Sequence, residues 1–168
     1  MPAKRKSLPK GTHTLTAHLI IRDAEKAVDF YQRAFGAKVN SVHKTPDGKV
    51  MHADLTIGDS HLMFADEFPA MGGKSPEALG GSPVYMNLYV PDDVDSLFQR
   101  AVDAGAKVTM PLSNQFWGDR YGQVVDPFGH HWALGAHVED VAPEEMERRA
   151  NAMFAEMGKK AAAAGSTQ

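Results

Sequence analysis

Ala17-His18-Leu19-Ile20-Ile21-Arg22-Asp23, running on to Phe35-Gly36-Ala37-Lys38-Val39, returns 69 positions later without a gap. The return is Met86-Asn87-Leu88-Tyr89-Val90-Pro91-Asp92, running on to Ala104-Gly105-Ala106-Lys107-Val108. Leu19 and Leu88, Asp23 and Asp92, and the Gly-Ala-Lys-Val runs at 36–39 and 105–108 coincide. One supersecondary unit is written twice, and the interface between two copies is where a site is expected.

Each copy reads outward from that stretch in the same way. Asp23 sits at a helix N-cap position, Ala24, Ala27, Val28, Tyr31, Ala34 and Phe35 follow on one helical stripe, and Gly36 ends it. In the second copy Asp92 or Asp93 caps, Val94, Leu97, Phe98 and Ala101 repeat the stripe, and Gly105 stops it. Before the helices, Leu15, Ala17, Leu19 and Ile21, and again Val84, Met86, Leu88 and Val90, form period-two apolar rows that predict strands. After them come Val39 to His43, Val50 to Ile57 and His61 to Ala65, broken at Pro46-Asp47-Gly48 and Gly58-Asp59-Ser60. The second copy gives Lys107 to Met110, a loop from Pro111 to Gly118, Arg120 to Val125, a turn at Asp126-Pro127-Phe128-Gly129, and His130 to Gly135.

The expected fold is therefore α+β: two tandem βαβββ modules forming a curved mixed sheet around a cleft, plus a C-terminal helix. The first module spans about 12–66, a linker 67–83 and the second module about 84–138, together one domain over 12–138. Residues 1–11 form a basic tail expected to be disordered, and 139–168 a helical arm and tail. In that arm Met146, Ala150, Met153, Phe154 and Met157 share one stripe, which must bury itself on its own body or on a neighbour.

Composition narrows the function. The 168 residues are 43% hydrophobic with a formal charge of -3, which gives no basic field for nucleic acid. No cysteine is present, so there is neither a disulfide framework nor a thiolate metal site, which fits a cytoplasmic protein. No apolar run reaches the length of a membrane span.

A helix on only one face of each sheet leaves the other face to line the cleft. That face is predicted to carry Thr16, His18, His52, Asp54, Thr56, His61, Met63, Tyr85, Asn87, Tyr121, Gln123, His131 and Ala133. The aromatic and large members suit a pocket better than open solvent. Phe116-Trp117-Gly118-Asp119-Arg120 leads into one of these strands, where Trp117 and Arg120 would hold a planar or anionic ligand, or Arg120 pairs at the surface with Asp119. Gly72-Gly73-Lys74-Ser75 lacks the spacing of a phosphate loop. The segment from Glu67 to Pro83 is long for a connection, and is either functional or a plain linker.

Together the Asp23-to-Tyr31 segment with its Phe35-Gly36 ending, the Asp126-Pro127-Phe128-Gly129 turn, Lys49-Val50-Met51-His52-Ala53, Asp66-Glu67-Phe68-Pro69 and Gln115 to Arg120 resemble the vicinal oxygen chelate superfamily. That superfamily includes glyoxalase I, bleomycin- and fosfomycin-resistance proteins and extradiol dioxygenases. The closer resemblance is to its PhnB-like branch. It implies a symmetric homodimer, and metal ligands, where there are any, on the first and last strands of each module. Those positions fall at Thr16, Met63, Tyr85 and Ala133, none of them a good ligand for a transition metal. No cofactor is therefore expected. The alternative is a divalent metal at a displaced site built from His18, His61 and His131. The resemblance thus implies a small-molecule-binding protein, sequestering an antibiotic or other organic ligand, with a metal-dependent glyoxalase-like lyase or dioxygenase as the alternative. The candidate ligand-binding residues are Thr16, His18, His61, Met63, Tyr85, Asn87, Trp117, Arg120, Tyr121 and His131.

Overall fold

The structure, a computed structural model, describes residues 12–165. The basic tail expected at 1–11 and the last residues, 166–168, lie outside the described residues. The first copy folds as β1 (Ala17–Ile21), α1 (Ala24–Phe35), β2 (Lys38–Lys44), β3 (Val50–Ile57) and β4 (Ser60–Asp66). After a 3-10 turn at Pro69–Met71 and the short α2 (Pro76–Leu79), the second repeats it as β5 (Tyr85–Tyr89), α3 (Val94–Asp103), β6 (Lys107–Asn114), β7 (Asp119–Val125) and β8 (His131–His137). A long α4 (Pro143–Gly165) follows.

The sheets have matching orders, β1-β4-β3-β2 and β5-β8-β7-β6, with β1 parallel to β4 and β5 parallel to β8. The duplication thus extends to topology. What was expected as one curved sheet is two sheets, because β1 and β5 are both edge strands with no hydrogen-bonded ladder between them. The strands also begin later than the apolar rows do. Pairing starts at Ala17 with Leu62 and at Tyr85 with His131, which leaves Leu15 89% and Val84 58% exposed.

What joins the modules is packing behind the sheets. Helices α1 and α3 lie against each other, and α1 buries Ala24, Ala27, Phe30, Tyr31, Ala34 and Phe35. Phe30, absent from the expected stripe, is buried because α1 is covered on two sides, and it meets Phe128 of the second module edge-on. Val28, placed on that stripe, is only partly buried. The Tyr31 and Phe35 rings lie 5.6 and 4.6 Å from that of Trp132 on β8. Side chains buried this fully contribute about 1.5–3 kcal/mol each.

One carboxylate acts where the sequence suggested another. Asp23 has φ 68° and makes no side-chain cap. Asp66 takes that role from the end of β4, accepting from the Ala24 N–H at 2.9 Å and the Val50 N–H at 2.7 Å. Asp93, by contrast, caps α3 through the Ser96 N–H. Strand β6 also runs on through Pro111, where a loop was expected. Proline is tolerated there because β6 is an edge strand with register shifts around it.

The linker is folded onto the body. Glu67 accepts from the Ser75 N–H at 2.7 Å and pairs with Arg22 at 3.0 Å, and Gly73 lies so close to Ile20 that a Cβ would come within 3.1 Å of it. Helix α4, in contrast, leaves Phe154 and Met157 more than half exposed. The rest of its stripe, Met146, Ala150 and Met153, is half-buried.

Candidate functional site

Each sheet turns one face to α1 and α3 and leaves the other uncovered. On the second sheet that uncovered face is aromatic. Tyr85 on β5 stands beside its register partner His131 on β8, with ring centroids 4.7 Å apart. Trp117 meets Tyr121 edge-on at 5.5 Å, and the Tyr121 hydroxyl accepts from Gln123. Gly135, the register partner of both Tyr89 and Tyr121, lets their rings close over it, because a Cβ there would come within 3.1 Å of the Tyr89 ring. Tyr85 and Tyr89 remain about half exposed. Nδ1 of His131 is buried and has no partner among the described residues. Such an orphan is uncommon in a settled structure and marks a place where a partner is missing.

The first sheet's uncovered face is polar. The His18 and His52 rings lie 5.9 Å apart, and burial, followed by the neighbouring His52, lowers the His18 pKa. Nδ1 of His61 lies 2.7 Å from Asp54 Oδ1. Met63 pairs in register with His18 on one side and Asp54 on the other.

The candidates therefore divide. Tyr85, Trp117, Tyr121 and His131 gather on the second sheet, and His18, His61 and Met63 on the first. Asn87 projects from the edge strand β5, and Thr16 lies just before β1. Arg120 does not join them. Strand alternation turns it away from Tyr121 and toward α3, where Asp95 takes it at 2.7 and 2.5 Å and Asn114 adds a third contact. The expected pairing with Asp119 is also not the one formed.

Among the described residues, no three His, Asp or Glu side chains form a group that could hold a metal ion. His18, His61 and His131 are not gathered into such a group, so among the described residues the displaced histidine site is not assembled. Of the family's four ligand positions, Ala133 is fully buried and offers no donor.

Sequence reasoning passed over Asp119. This 8% exposed carboxylate accepts from the Tyr89 hydroxyl at 2.7 Å, Trp117 Nε1 at 2.8 Å and His137 Nδ1 at 2.8 Å, while His137 Nε2 reaches Asp140 at 3.0 Å. The signal was present, since the hairpin of β7 and β8 pairs Asp119 with His137. Burial works against the Asp119 carboxylate, but the hydrogen bonds from Tyr89, His137 and Trp117 outweigh it and lower its pKa. Desolvation and the bond to Asp119 push the Tyr89 phenol up to about 12.

Asp119 and Asp140 raise the His137 pKa above the ordinary 6.5. A raised folded-state value means that this contribution is complete below the unfolded value and is lost as pH rises through the folded one. The melting-temperature advantage of the native protein over His137→Gln is therefore expected to be largest below the ordinary histidine value and to shrink as pH rises above it. A difference that does not change with pH would exclude the ion pair as its source.

The fold and this pair of faces define the class. A profile of the glyoxalase/bleomycin resistance protein/dioxygenase superfamily matches residues 12–134, and the chain belongs to that superfamily. It is 50% identical over 136 residues to an uncharacterized protein of Mycobacterium tuberculosis, covering 79% of each chain. Among solved structures it is similar to TioX from Micromonospora sp. ML1, with 29% identity and a TM-score of 0.59 over 75% of this chain and 99% of that one. A PhnB protein from Bacillus cereus, 21% identical over 74% of this chain and 99% of that one, shares the fold with a TM-score of 0.55.

Proposed function

We propose that the protein binds a small organic ligand on the uncovered faces of its two sheets without the metal used by many members of its superfamily. The observation that carries this reading is the aromatic floor of the second sheet. Tyr85, Trp117, Tyr121 and His131 offer flat apolar surface with polar atoms at its edge. The motifs at Lys49–Ala53 and Gln115–Arg120 resemble those of the PhnB-like branch, and sequestration of an antibiotic or a similar organic molecule in the cytoplasm is the role that suits such a floor.

The same reading includes a homodimer. The exposed Phe154 and Met157 side chains of α4 are apolar surface that a second copy would cover.

The test is a thermal-shift screen of small organic compounds on protein purified without a His tag, with and without chelator. A ligand at a hundredfold its Kd is expected to add about 2.7 kcal/mol of stability, with or without chelator. Metal content is expected below about a tenth of an equivalent. Tyr85→Ala is expected to weaken binding about tenfold while leaving the melting temperature of the free protein nearly unchanged, since Tyr85 is about half exposed. Trp117→Ala is a poorer probe, because it also removes a bond to Asp119. A full equivalent of metal with chelator-sensitive turnover would instead establish the lyase or dioxygenase alternative.

A further inference from the structure

Asp54 on β3 and His61 on β4 are diagonal neighbours, since Asp54 pairs with Met63 and Thr56 pairs with His61. Both side chains are mostly buried, at 18% and 14% exposure. Asn40 stands behind them, donating from Nδ2 to Asp54 Oδ1 at 3.2 Å and to Thr56 Oγ1 at 2.8 Å. Asp54 Oδ1 accepts from His61 Nδ1–H, so in the Nδ1–H tautomer Nε2 is the ring's acceptor. Among the described residues Nε2 has no partner.

His61 lines a cavity of about 240 Å³ at the seam between the two sheets. Ala17 from β1, Met86 from β5 and Trp132 from β8 supply apolar wall, and Asn87 brings a second polar group from the opposite module. We propose that this cavity takes an uncharged molecule of single-ring size bearing a hydroxyl group. His61 Nε2 accepts the hydroxyl hydrogen, Asn87 makes the second polar contact, and Asp54 is a positioning residue that fixes the imidazole. The volume is below the roughly 300–1,000 Å³ of drug-sized sites, which limits the ligand to about one ring. The Asp54 charge behind the imidazole disfavours anions, and the apolar walls disfavour strongly polar molecules. This inference rests on the ligand-binding reading and sharpens it to one location and one chemistry.

The test compares p-cresol with its methyl ether, 4-methylanisole, by NMR titration of the full chain. The phenol is expected to bind about tenfold more tightly, the worth of one buried hydrogen bond, with amide shifts at Ala17, Met86 and Asn87. His61→Phe is expected to abolish the preference. Asp54→Ala is expected to reduce it several-fold, and long-range proton–nitrogen spectra should show His61 leaving the Nδ1–H tautomer. Equal affinities, no saturable binding of p-cresol, or shifts confined to Tyr121 and Gln123 would overturn the proposal. So would an Nε2–H tautomer in the native protein, a measurement that needs no variant. Compounds that bind the Tyr85 and Trp117 face while the phenol preference is missing would sink this inference alone and leave the broader reading standing.

Discussion

Asp126→Ala is expected to lower the unfolding free energy by about 3–5 kcal/mol, because it leaves several buried donors unsatisfied at about 1–3 kcal/mol each. Asp126 is 3% exposed and serves four donors. Its Oδ2 accepts from the Tyr31 hydroxyl at 2.8 Å and from Trp132 Nε1 at 3.0 Å, and its Oδ1 accepts from the Phe128 and His130 N–H groups, each at 2.9 Å. Alanine would strand two buried side-chain donors and release a turn at the same time. The native margin of a domain this size is only about 5–15 kcal/mol, so the loss would show as a large drop in the denaturant midpoint. Tyr31→Phe removes one bond and leaves Asp126 three donors, so its cost is expected near 1 kcal/mol. The double variant should fall short of the sum, since both changes break the same bond. A loss below about 1 kcal/mol for Asp126→Ala would show that this network adds little to the packing that joins the modules.

The same network marks the boundary of what the sequence could say. The Asp126-Pro127-Phe128-Gly129 turn and the Tyr31 stripe are both legible in the chain, but nothing local states that they meet across 95 residues. The two modules were readable because helical and strand periods, and their repetition, are local properties. Which carboxylate caps α1 was not, because Asp66 reaches Ala24 from 42 positions away and makes the cap at Asp23 unnecessary. Arg120 is a different kind of miss. Its neighbour Tyr121 lies on the uncovered face, and alternation alone puts Arg120 on the other. Likewise the tight turn at Gly58-Asp59-Ser60 sets the register that brings Asp54 beside His61. That pair could be deduced from the sequence, but Asn40 behind it could not, because an irregular register in the β2–β3 ladder places it. The aromatic floor was likewise legible as a face, whereas its wiring through Asp119 depended on distances only a structure supplies.

Gly118→Ala carries the second large expectation, a loss of about 3 kcal/mol or more, and it links stability to the proposed binding face. Gly118 has φ +97°, and a Cβ there would lie 2.1 Å from the Glu139 carbonyl oxygen, a backbone atom that no rotamer change can move. The Gly118 carbonyl also accepts from both the Val138 and Glu139 N–H groups, so any shift there pulls on the exit from β8 toward α4. Gly48 provides the control. It has a comparable φ of +89° but nothing within 4 Å of its would-be Cβ, so Gly48→Ala measures the backbone strain alone, about 1 kcal/mol. The difference between the two variants measures the contact. Because Trp117 and Asp119 flank Gly118, the displaced loop is expected to take the Trp117 ring off Tyr121 and weaken ligand binding more than Gly48→Ala does. Equal losses in the two variants would mean that the loop yields freely and does not fix the aromatic floor.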